Sequence, residues 1–278
     1  MVAKLTGAVL RAFLLALLLA MPSLLLPSAA SDTNQIVVLI SVLAGAMVFM
    51  EYTSRAPSIV EFRFAAPFNR MKFGFGAVAL LACCLIMRGA ETPGSWSVLL
   101  TQLSGGMAAA LDFPYSPVRL LLSVLPANLS EGDTQIIRLL AALCYGLSMV
   151  MVFVFLALVR IWGWPVRRGA FNVWLNLPLF DPTGGGDVVV RLHRDSALNL
   201  SLGFLLPFLL PALFVVLVNF FDRSALLSPQ TVIWIIVIWA FVPAGMIMRG
   251  LALHRVAELI TAKRRRAYAK AEDAFQTV

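Results

Sequence analysis

Charge is scarce in this sequence. Asp, Glu, Lys and Arg make up 13% of its 278 residues, where a water-soluble domain carries roughly 25%. That deficit excludes a soluble enzyme and a disordered chain. Cysteine is nearly absent as well: Cys83, Cys84 and Cys144 are the full set, all within apolar stretches. This excludes a disulfide-stapled secreted module. Neighbouring Cys83 and Cys84 point to different sides of a helix, so they read as packing thiols, with no ligand pair or structural disulfide expected.

Reactive constellations are equally hard to find. The two histidines, His193 and His254, sit among Arg191, Arg194 and Arg255, a setting that suits charge balance. No Ser/His/Asp order, zinc-protease helix, pair of aspartates within helices or haem-type histidine pair is present. The expectation is a non-catalytic protein without cofactor or metal.

What the sequence has in abundance is apolar surface. Hydrophobic residues reach 60% and the mean hydropathy is +0.89. A membrane-crossing helix needs about 20 mostly apolar residues, and six stretches qualify: 7–26, 36–50, 73–87, 136–162, 197–220 and 232–248. The second and third are short and are expected to extend into their flanks or to tilt. None has an acid or base in its middle third. The first is preceded by Lys4 and Arg11 and followed by Ser28-Ala29-Ala30, an order that also describes a signal peptide; a retained helix is expected.

The net charge of +8 invites a nucleic-acid reading. Six crossings from an inside N-terminus dissolve it. The N-terminus and the segments 51–72, 160–195 and 249–278 then carry 18 basic and 8 acidic residues, leaving 4 basic and 6 acidic on the other face. The excess is an orientation signal, with both termini cytoplasmic, and no nucleic-acid partner is expected. The fold class is thus an all-α polytopic membrane protein, one integral membrane domain over 1–278, placed in a bacterial inner membrane.

Between the spans lie three segments of interest. In the external segment 89–135, Trp96, Leu99, Leu100, Leu103, Met107 and Leu111 recur at helical spacing opposite Ser97, Thr101 and Ser104. This predicts an amphipathic helix on the membrane surface or under the bundle. A re-entrant turn at Ser104-Gly105-Gly106 is the alternative. In the internal segment 163–195, residues 172–177 and 188–193 read as two strands around the turn-rich run 181–187. This predicts a small cytoplasmic β-hairpin, with Trp174, Gly184, Gly185, Gly186, Asp187 and Arg191 as its docking surface. Phe62 and Phe64 alternate with Glu61 and Arg63 in 51–72, so that stretch is a candidate partner strand for 188–193. The tail 249–278 predicts a basic helix whose Lys263, Arg264, Arg265 and Arg266 contact anionic lipid headgroups or an acidic partner.

Prolines interrupt two spans: Pro207 and Pro211 in the fifth, Pro243 in the sixth, each a candidate kink. Their neighbours are apolar, which favours packing over a transport hinge. Small-residue patches at Ala44-Gly45-Ala46, Gly74-x-Gly76 and Cys144-x-Gly146-x-Ser148 suit close helix contact. Together these features point to an accessory, assembly or scaffold subunit that contacts other membrane subunits. A permease subunit for an unidentified solute is the alternative.

Overall fold

A computed structural model describes residues 2–26, 31–56, 58–126, 129–165, 171–180, 185–218 and 228–276. Nine helices and no strand appear among the described residues: α1 (Val2–Leu25), α2 (Ser31–Thr53), α3 (Phe68–Glu91), α4 (Ser95–Ala110), α5 (Pro117–Ser123), α6 (Glu131–Arg160), α7 (Val173–Asn176), α8 (Val188–Val218) and α9 (Pro229–Gln276). Six of them, α1, α2, α3, α6, α8 and α9, are long and apolar enough to cross a membrane. The second and third spans extend beyond their apolar windows, as expected for helices that lengthen into polar flanks.

Serine side chains start two of the helices. The Ser130 hydroxyl accepts from the Asp133 N–H at 3.0 Å to begin α6, and Ser116 accepts from the Arg119 N–H at 3.1 Å to begin α5. These caps satisfy N–H groups that a helix leaves open at its first turn.

α6 is central. It packs against α3, α4, α5 and α9, and its Leu140, Ala141, Ala142 and Cys144 are fully buried. Cys83 of α3 meets Cys144 across this interface, with the sulfurs 3.3 Å apart. Sequence spacing offered no sign of that meeting, because the two residues lie 61 positions apart. All three cysteines are free and buried.

The internal hairpin is overturned. Residues 173–176 form the single turn α7, and 188–193 open the long helix α8. The β-branched run Val188-Val189-Val190 favours a strand locally, but an Asp cap and burial of one helical face decide otherwise. Asp187 Oδ1 accepts from the Val189 N–H at 3.0 Å, and the Arg191 N–H closes the first helical bond onto the Asp187 carbonyl at 3.1 Å. Leu192 and Ser196, four apart on one face, are then buried. Nor does the 61–64 stretch pair with 188–193: the Phe62 N–H donates to the Asn176 carbonyl at 2.6 Å, and the Phe64 N–H donates to Asn176 Oδ1 at 3.1 Å.

A helix forms over 95–110, but the predicted apolar stripe is split. Leu100, Met107 and Leu111 pack on the core beside buried Ser97, Ser104 and Ala108, while Trp96, Leu99, Leu103 and Thr101 point outward. A Cβ at Gly89 of α3 would lie 2.3 Å from Ser97, and one at Gly146 of α6 would lie 2.3 Å from Met107. The two glycines make room for Ser97 and for the Met107 side chain, so the inner side of α4 mixes small and apolar residues. With about 1.5 Å of rise per residue, and Cys83 level with Cys144, these two contacts lie roughly 12 Å apart along the bundle. α4 therefore runs alongside α6 and does not lie across the end of the bundle.

Candidate functional site

The basic segments converge at one end of the bundle. A strap, described over residues 54–56 and 58–67, leaves α2 and folds back into this end before α3 begins. Its first half is held by Glu51, whose carboxylate accepts N–H groups from Ser58, Ile59 and Val60 at 2.8–3.0 Å and the Ser58 hydroxyl at 2.7 Å. The Arg63 guanidinium donates to the Glu51, Tyr52 and Ser54 carbonyls, orphan acceptors at the end of α2. Lys4 of α1 donates to the same chain end at Thr53 and Ser54.

The second half of the strap is aromatic. Phe62, Phe68, Phe155 and Trp164 have ring centroids 4.6–6.2 Å apart, and the Trp164 indole N–H donates to the Ala65 carbonyl at 3.3 Å. Phe62 adopts a left-handed φ of 54° and is 1% exposed. A bulky residue takes that conformation only where its surroundings impose it. Here the buried ring cluster and the two Asn176 bonds do so.

Between strap and helices lies a charge centre. Arg249 of α9 binds Glu61 through two bonds, Nε to Oε2 at 2.5 Å and Nη2 to Oε1 at 2.8 Å. The Glu61 side chain is 10% exposed and that of Arg249 27%. Asn69 donates to the Glu61 carbonyl at 2.7 Å, fixing the strap. Lys72 crosses Gly245, where its Nζ lies 3.6 Å from the position a Cβ would take, and stands 5.4 Å from the Phe68 ring centroid. A second cation, Lys72, thus stands near the Glu61–Arg249 pair, beside Gly245. Glu61 and Arg249 are 188 positions apart, so this centre was invisible to local reading.

Farther along, α8 and α9 remain paired. A Cβ at Gly203 would meet the Pro243 carbonyl at 2.7 Å, and one at Gly250 would meet Leu200 at 2.7 Å. The Ser196 hydroxyl donates to the Gly250 carbonyl at 2.8 Å. The His193 and His254 rings sit 5.1 Å apart, His254 lies 3.4 Å from Glu258, and Arg255 bonds Glu258 at 2.9 Å.

The sequence-predicted residues divide among these features. Pro207, Pro211 and Pro243 are buried inside continuous helices. Pro211 has no N–H to give the Pro207 carbonyl, and the Trp239 indole N–H takes that acceptor at 3.0 Å. Arg191 lies over the Phe180 ring at 4.9 Å, and exposed Gly185 and Gly186 precede α8. Gly184 and the Trp174 side chain lie outside the described residues, as does most of the 181–187 turn. Arg264 bonds Asp187 at 2.8 Å, whereas Lys263, Arg265 and Arg266 are exposed. The Asp187 carboxyl is held below the usual carboxylate range by the Val189 N–H and then by the Arg264 guanidinium. No group of three or more His, Cys, Asp or Glu placed to hold a metal occurs among the described residues.

The charge centre and its neighbours can do two things: lock the strap to α9 and present cations at the bundle's end. Compared with known protein families, curated proteins and solved structures, the chain finds no match.

Proposed function

We propose that this protein is a non-catalytic accessory, assembly or scaffold subunit of a bacterial inner-membrane complex, with the basic end of the bundle in the cytoplasm. The observation that carries this reading is the isolation of α2. Among the helices, α2 packs substantially on α1 alone, with Gly45 seated against the Ala12 carbonyl and the Ala16 methyl. The rest of its perimeter, including Leu39, Val42, Leu43 and Met50, faces outward. Helices in membranes associate through close packing and interhelical hydrogen bonds, since lipid tails are as apolar as leucine. A span held by one neighbour therefore offers most of its surface to another chain. The gathering of Lys4, Arg63, Arg249 and Arg264 at one end supports the orientation through the positive-inside rule.

Purification in mild detergent, with crosslinking from cysteines placed at Leu39 and Leu43, tests the reading. Stoichiometric partners crosslinked through α2 are expected. A lone monomer in several mild detergents, with no α2 crosslinks in native membranes, would refute it.

A second reading, a permease subunit, rests on the Glu61–Arg249–Lys72 centre beside Pro243 and Gly245. Ionisable groups at the membrane edge beside a proline in a membrane helix are ingredients a solute site can use. Solute uptake into liposomes holding the purified protein, reduced by Arg249→Met, is the outcome that would favour it.

A further inference from the structure

The basic tail is the continuation of a packed helical seam. α9 runs unbroken from Pro229 to Gln276, 48 residues or roughly 72 Å, more than twice the ~30 Å apolar core of a bilayer. Along it, Gly245, Arg249, Ala252, Val256, Leu259, Lys263, Arg266 and Lys270 follow at alternating steps of four and three residues. That is the heptad spacing by which one helix keeps a single stripe toward its neighbours. The first half of the stripe is occupied: Gly245 lies under Lys72, Arg249 binds Glu61, Ala252 and Val256 are buried, and Leu259 is half-buried. The second half changes chemistry but keeps its register. Lys263, Arg266 and Lys270 are exposed, and none makes an ion pair among the described residues. Small residues flank them, Ala262 and Ala269 on one side, Ala267 and Ala271 on the other. Arg264, off the stripe, pins the helix to Asp187 at the start of α8.

We propose that this stripe docks an acidic α-helix of a partner protein, which continues the α9 seam beyond the end of the bundle. The proposal rests on the reading of the chain as a subunit of a larger assembly. Alanine flanks allow two backbones to approach, and basic residues at seam positions demand carboxylates opposite them, which fix register. A membrane surface fits less well, because interfacial helices bury large apolar side chains and the stripe past Leu259 has none. A nucleic acid fits less well too, since the aromatic ring available for stacking, Tyr268, lies on the other side of the helix from the stripe.

The test compares two adjacent charge reversals, Arg266→Glu on the stripe and Arg265→Glu off it. Full-length protein in phosphatidylcholine nanodiscs is titrated with three labelled probes: an alanine-rich helical peptide bearing Glu at heptad spacing, phosphatidylglycerol vesicles, and a 20-nucleotide single-stranded RNA. Circular dichroism confirms that both variants keep the helix. Arg266→Glu is expected to weaken peptide binding about tenfold and Arg265→Glu less than about threefold. The vesicles and the RNA, which sense summed charge, are expected to lose equally with both variants. Equal loss of the peptide with both variants would overturn the proposal, as would no peptide binding at low ionic strength. Tighter binding of vesicles or RNA with the stripe's residue dependence would also overturn it. The subunit reading stands or falls separately, on whether native purification yields partners.

Discussion

Replacing Trp239 by Phe removes one N–H, and its cost depends on a proline 28 positions away. Pro211 lacks the N–H that would close a helical bond onto the Pro207 carbonyl. That carbonyl is buried against α9 and accepts from the Trp239 indole at 3.0 Å. With Trp239 3% exposed, water cannot readily take the donor's place. A buried acceptor left unpaired costs about 1–3 kcal/mol, while interhelical hydrogen bonds in membranes average about 0.6 kcal/mol; about 1 kcal/mol is the expected loss from this source. Phe also sacrifices part of the ring stacked on Tyr145 at 5.6 Å, so Trp239→Phe alone mixes two costs. The second mutation separates them. In a Pro211→Ala background the new N–H can serve the Pro207 carbonyl, and Trp239→Phe then carries the packing cost alone. The assay is reversible unfolding in mixed dodecylsulfate micelles, followed by circular dichroism for wild type, both single variants and the double. A coupling of about 1 kcal/mol, several-fold in the unfolding equilibrium, is expected. Strict additivity would show that the indole N–H does not replace the missing backbone donor.

Four further outcomes follow from the packing and the charges. Gly203→Ala places a methyl 2.7 Å from the Pro243 carbonyl; overpacking of this kind costs about 1–3 kcal/mol, read as a lower thermal midpoint in detergent. Gly105→Ala enters open space and is expected to be neutral or to stabilise by up to about 1 kcal/mol. Glu61→Gln leaves Arg249 without its carboxylate and is expected to destabilise. Breaking a fully buried pair costs about 3–5 kcal/mol, and the loss here falls below that because Arg249 is 27% exposed. The exchange Glu61→Arg with Arg249→Glu is expected to recover part of it in the same assay. Asp187→Asn releases Arg264, so trypsin is expected to cut at 263–266 faster than in wild type. In wild type the Asp187 pKa is depressed; the anchor is therefore complete above the ordinary carboxylate range and is lost as pH falls through the lower folded value. Protection of the tail amides relative to their intrinsic exchange rate, high at pH 5 and falling only on stronger acidification, checks that sign.

How much was legible in the sequence depended on whether a residue's partner was local. The six spans were, because the need for about 20 apolar residues is a property of one segment and the bilayer. The basic excess of four segments was legible for the same reason, and the structure gathers those segments at one end. The hairpin was misread because Val188, Val189 and Val190 have strand propensity, whereas Leu192 and Ser196 gain burial only if the run is helical. The face of α4 was only partly legible, because hydrophobicity alone does not pick the inner side where lipid is as apolar as the core. Leu100, Met107 and Leu111 go in, Trp96, Leu99 and Leu103 do not, and Gly89 and Gly146 help decide which.

Composition and periodicity thus determined by themselves that this is a helical membrane protein, with six segments able to cross and a polar asymmetry along the chain. Tertiary structure alone decided the rest. It joined Glu61 to Arg249, set Cys83 against Cys144, gave the Pro207 carbonyl to Trp239, and tied the basic tail to the start of α8 through Arg264 and Asp187. The physical reason is the same in each case. Hydropathy is paid out between a segment and its solvent, but hydrogen bonds, ion pairs and close packing belong to two segments at once, and the chain's order does not say which two will meet.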